Sequence, residues 1–111
     1  MKISKTLSAD GDTAICQIDR RRSDANAWQA TIFIGGTFGG GTASIKLSPD
    51  GGTTKYAIKD FTGTNISTTS AAVFTTQPVG NGDTLTDYIT VYASLTGSTN
   101  PSINVTLFDN R

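Results

Sequence analysis

Apolar and polar residues alternate with a period of two along much of the chain, the pattern of strands with one buried and one wet face. The densest stretch is 28–47. Trp28, Ala30, Ile32 and Ile34 share one face and Gln29, Thr31 and Phe33 the other, so the first set is predicted to point inward and Phe33 outward. After the glycine-rich connection 35–41, Ala43, Ile45 and Leu47 alternate with Thr42, Ser44, Lys46 and Ser48. Such clean alternation indicates an antiparallel sheet with one wet face. The two strands and their connection read as a hairpin, with Phe38 on its flexible tip and Phe33 turned to solvent beside it, both candidates for contact with a partner.

The same pattern continues on either side. Residues 2–7 alternate weakly, as a first strand or as an arm that docks on a neighbour, and Asp10–Gly11 supplies a turn. In 13–18, Ile15 and Gln17 are placed on one face and Cys16 and Ile18 on the other. Residues 48–51 (Ser-Pro-Asp-Gly) fit a type I turn leading into a return strand at 55–58, with Tyr56 and Ile58 on one side. Between 60 and 76, Phe61, Ile66, Val73 and Phe74 are read as anchors for short strands joined by irregular turns. Asn81–Gly82 signals positive φ. In 87–95, Ile89, Val91, Ala93 and Leu95 point inward and Tyr88, Thr90, Tyr92 and Ser94 outward. Residues 102–108 close the chain with Ile103, Val105 and Leu107 inward. About eight short strands at this spacing predict an all-β fold, an antiparallel β-sandwich or small barrel, occupying 1–111 as one domain with 1–7 an arm or edge strand.

Composition points the same way. Nineteen threonines accompany ten serines, with no glutamate and no histidine; threonine favours the pleated strand and glutamate, the missing type, favours the helix. Nine basic and nine acidic residues cancel, so no overall field draws the chain to nucleic acid or an anionic membrane. No apolar run approaches the ~20 residues of a membrane span, and no secretory signal is expected behind Met1–Lys2. Cys16 is the single cysteine; it reads as a small buried hydrophobe in a strand.

Candidate chemistry is thin. The 35–41 glycines lack the Gly-Lys-Ser/Thr and the helix of a phosphate loop. Asp10 with Asp12, and Asp83 with Asp87, lack the further ligands of a calcium site and are assigned to turns. Without histidine the many hydroxyls have no base to activate them, and paired aspartates would need a cleft that so small a domain can hardly spare. The expectation is a protein that is not an enzyme and takes no cofactor or metal. Arg20, Arg21 and Arg22 form the one local charge cluster; a solvated loop is the first reading, a protein contact the second and a phosphate backbone the third. Tyr56, Tyr88 and Tyr92, with Phe33, lie on or near sheet faces, where aromatics stack on sugar rings or serve as oligomer contacts.

The Gly-Gly-Thr-Phe-Gly-Gly run, the Ser-Pro-Asp-Gly-Gly-Thr-Thr turn, and the late strand into Ala93–Ser94–Leu95–Thr96–Gly97 with the 100–107 close together resemble small β-sandwich virion proteins of tailed bacteriophages, in the style of head decoration (cement) proteins. The resemblance covers 28–49 and 88–107. It implies a capsid decoration protein, made in the host cytoplasm and carried on the capsid surface. Such a protein binds the major capsid protein or other virion proteins, as a homo-oligomer with a trimer favoured, and uses neither nucleic acid nor membrane. No site residue carries over, since such proteins work by surface contact. The alternatives are a carbohydrate- or receptor-binding module using Tyr88, Tyr92 and Phe33, and a tail or baseplate adaptor.

Overall fold

The alternating segments fold into two antiparallel sheets. The computed structural model describes residues 1–19, 27–79 and 88–110. The strands there are β1 (Lys2–Leu7), β2 (Gly11–Asp19), β3 (Ala30–Thr37), β4 (Thr42–Ser48), β5 (Tyr56–Ala57), β6 (Ser67–Thr68), β7 (Ala72–Thr75), β8 (Tyr88–Thr96) and β9 (Ser102–Asp109). One sheet runs β1-β9-β3-β7; the other runs β2-β8-β4-β5, with β6 also paired to β4. The all-β sandwich expected from the periodicity is the fold observed.

The core lies between the layers and is built from the predicted inward sets. Ile32 from β3, Val91 and Leu95 from β8, and Ile103, Val105 and Leu107 from β9 are all fully buried, as is Trp28 just before β3. Each such side chain contributes roughly 1.5–3 kcal/mol of hydrophobic stabilisation. Residues 2–7 form an edge strand of the chain's own sheet, paired with β9 from Lys2↔Phe108 to Leu7↔Ile103.

Four features depart from the sequence reading. The first is the 35–41 connection, which is not a hairpin: β3 pairs with β9 and β7, whereas β4 pairs with β8, β5 and β6. The glycines carry the chain from one sheet to the other as an arch, and a side chain at such a crossover falls between the layers. Phe38 therefore joins the core at 8% exposure instead of standing on an exposed tip. The run is held closely: the Gly39 carbonyl accepts from Thr99 N–H at 2.9 Å. A Cβ on Gly39 (φ +59°) would lie 2.0 Å from the Thr99 carbonyl oxygen, and one on Gly36 (φ +114°) 2.2 Å from that of Ser102.

The second is in β2, where the register shifts between Ala14 and Cys16. This bulge resets the alternation, so Ile15 and Ile18 are both buried although they lie three apart. The third is 58–76, which wraps the side of the sandwich. Ile58 and Ile66 plug that side, and Phe74 packs partly against the core. Phe61 and Val73, read as anchors, stay 76% and 58% exposed. On β8, Thr90 and Ser94 are buried on the outer face, not wet, because β2 and β4 flank them.

Candidate contact faces

The sheet β1-β9-β3-β7 turns a second set of residues away from the core. Its register defines rows across the strands: Lys2–Phe108–Thr31–Thr75, then Ser4–Thr106–Phe33–Val73. Phe33 and Phe108 meet on this face edge-to-face, with ring centroids 5.7 Å apart at 80°. The Lys2 ammonium lies 5.8 Å from the Phe108 ring centre. Beyond β7 the Phe61 N–H donates to the Thr75 carbonyl at 2.7 Å, and Phe61 shares a shallow hollow with Asp60, Val73 and Thr75. A second hollow runs between Phe33 and Val73, floored by Gly35 and Gly36.

Phe33, Val73 and Phe108 are thus 44%, 58% and 43% exposed on one face, with Phe61 at its margin. Scattered apolar residues on a surface need no explanation, whereas these lie side by side on adjoining strands. Only Phe33 was singled out from the sequence. Phe108 follows from the same alternation, since Ile103, Val105 and Leu107 point inward and Phe108 must point out. Val73 is harder to place, because it adjoins Phe74 and either could have faced the core.

Tyr88, Tyr92 and Phe38 do not join this group. Tyr88 and Tyr92 lie on β8, in the opposite sheet. Tyr92 is engaged in holding the 48–55 loop: its hydroxyl donates to the Gly51 carbonyl at 3.3 Å, and the Lys55 ammonium sits 5.0 Å from its ring centre. Lys55 also pairs with Asp12 at 3.0 Å and donates to the Gly52 carbonyl at 2.8 Å. The Asp12 carboxyl is held below its ordinary pKa, by the Ser94 hydroxyl first and then by Lys55. Tyr88 is 40% exposed at the start of the strand. Phe38 is a core residue, and Arg20, Arg21 and Arg22 lie outside the described residues, as do Asn81, Gly82, Asp83 and Asp87.

Three further carboxylates serve turns, whereas Asp109 accepts from the Trp28 indole N–H at 3.1 Å and pairs with the N-terminal ammonium at 3.2 Å. Asp10 accepts from the Ser98 hydroxyl and, at 3.0 Å, from its N–H; those bonds hold its carboxyl below the ordinary value. Asp60 is lowered chiefly by the Thr62 hydroxyl and then by the Thr64 N–H, and Asp50 by the Thr54 N–H and the Ser48 hydroxyl. Among the described residues no group of three potential ligands could hold a metal ion. Burial, reinforced by the nearby Asp109 carboxylate, pushes the Cys16 thiol up to about 11, where it has little thiolate to offer at neutral pH.

No family model and no curated protein sequence matches the chain. The fold, however, has a solved counterpart. The chain is similar to the crystal structure of the SPBc2 prophage-derived protein YomS, with a TM-score of 0.54 at 9% sequence identity. The likeness covers 99% of this chain and 96% of that one, so it extends over the whole two-sheet architecture. At this identity what is shared is the fold.

Proposed function

We propose that this chain is a non-enzymatic structural protein of a bacteriophage particle, a decoration or cement protein that binds the assembled head through the surfaces of a homo-oligomer. The observation that carries this reading is the uncovered face of Phe33, Phe108 and Val73 on a well-packed sandwich. Contiguous apolar surface of this kind suits protein contact. Two further points support it. The fold is shared over the full length with a prophage-derived protein, and among the described residues the Asp10, Asp50 and Asp60 carboxylates are committed to turns and those of Asp12 and Asp109 to ion pairs.

The test is to add labelled protein to intact particles and image them. Decoration gives label distributed over the head. Label confined to the tail replaces decoration with an adaptor role. Absence of label, together with saturable glycan binding that Tyr92→Ala abolishes, removes the structural reading in favour of a carbohydrate-binding module.

A further inference from the structure

The inward face of β9 does not end on an apolar residue. Ile103, Val105 and Leu107 lie in the core, and the next residue on that side is Asp109, whose side chain is only 3% exposed. A carboxylate taken out of water is costly unless opposite charge and hydrogen bonds meet it. Two groups do so at its two oxygens. The Trp28 indole N–H donates to Oδ2 at 3.1 Å, and the α-ammonium group of Met1 lies 3.2 Å from Oδ1. We propose that this ammonium is a latch for the edge strand β1, fastening it to β9 through Asp109, and that a Met1 nitrogen carrying an acyl group leaves β1 loose.

A count of donors shows why the ammonium matters. Residue 1 continues the β1–β9 ladder one step past Lys2↔Phe108. Its nitrogen donates to the Asp109 carbonyl at 3.1 Å, and its carbonyl accepts from the Asp109 N–H at 3.0 Å. One nitrogen thus serves two acceptors, the Asp109 carbonyl and Oδ1. An ammonium has three N–H donors and a positive charge. An acylated nitrogen, like one inside a longer chain, has a single N–H and no charge. It can keep the ladder bond or turn to the carboxylate, and in either case the charge pair is lost. The next cation along the strand does not stand in, because Lys2 points to the opposite face, its ammonium 5.8 Å from the Phe108 ring centre.

β1 is the element that such a loss reaches first. It is an edge strand bonded to β9 alone. Of its six residues only Leu7, at the far end, is buried, so little apolar burial holds the Met1 end in place. When β1 opens, it uncovers one edge of the eight-residue strand β9, a template for pairing with another chain. The latch is independent of the proposed function.

Three forms of the full chain test it: Met1 with a free amine, Met1 acetylated on its α-nitrogen, and Met1 preceded by one glycine. Hydrogen exchange followed by mass spectrometry should show the amides of residues 2–7 exchanging roughly tenfold faster in both blocked forms, with those of β8 unchanged. In an Asp109→Asn background the free and blocked forms should exchange alike. Equal β1 exchange in all three forms of the unsubstituted chain overturns the latch. So does an acceleration shared equally by β8, the mark of general destabilisation, or one that persists undiminished in Asp109→Asn. If Asp109→Asn fails to fold, the comparison of the three unsubstituted forms decides by itself.

Discussion

Truncating Phe38 would remove a ring that packs among the core side chains where the chain crosses between sheets. Phe→Ala substitutions at buried sites cost about 3–5 kcal/mol, through lost transfer energy and the cavity left behind. Phe38→Ala is therefore expected to lower stability by about 3 kcal/mol or more, measured by urea denaturation. A variant of unchanged stability but weakened assembly would instead return Phe38 to the surface. Phe33, five residues earlier, obeys the opposite logic, since its ring meets Phe108 and solvent. The two phenylalanines look alike in the sequence, both flanked by small or β-forming residues. Their difference is set by whether the backbone at that point lies within a sheet or passes between sheets.

At the scale of elements, the arches give the glycines different duties. Gly39 and Gly40 both have positive φ, but a Cβ on Gly39 would strike the Thr99 carbonyl while one on Gly40 would meet open space. Gly40→Ala is expected to cost about 1 kcal/mol, from the left-handed backbone alone. Gly39→Ala must also break the bond between the 35–41 and 97–101 segments, and its cost should exceed that of Gly40→Ala by about 1–3 kcal/mol. Equal thermal shifts for the two would contradict the close approach. The strands themselves were legible because alternation is a local property: the inward faces of β3, β4, β8 and β9 could all be read from the residues. Strand partnership was not, because a glycine-rich run between two alternating segments fits a hairpin and an arch equally well. The bulge at Ala14–Cys16 was hidden for a related reason, since a one-residue shift leaves no mark in composition. The exposed apolar face was half legible: Phe33 and Phe108 follow from alternation, whereas bringing them beside Val73 and Phe61 required the register.

For the whole molecule, acid should be more destabilising than mild base. Asp10, Asp12, Asp50 and Asp60 all have folded-state pKa values below the ordinary 3.8. Their contribution to stability is complete above that unfolded value and is lost as pH falls through the lower folded values. The chain has no histidine, so no side chain of ordinary pKa titrates between about pH 5 and 8. Melting temperature is expected to stay level across that interval and to decline below about pH 4. A pronounced change between pH 6 and 7 would contradict this assignment. The decline should be modest, because these carboxylates are solvent-exposed and their bonds are screened.

The arches also govern how the chain comes together in time. β1 and β2, β3 and β4, and β8 and β9 are neighbours in sequence but belong to different sheets. β1 finds its strand partner in β9, and β3 finds one of its two there. During synthesis the first hundred residues would leave the ribosome with one layer lacking its second strand, and with Ile32, Ile34 and Leu7 awaiting Ile103, Val105 and Leu107. Native pairing of that layer must wait for the last strand, then close over nearly the full length of the chain. Such non-local closure places folding in the millisecond-to-second range, and commits the sandwich to forming as one unit after translation of β9.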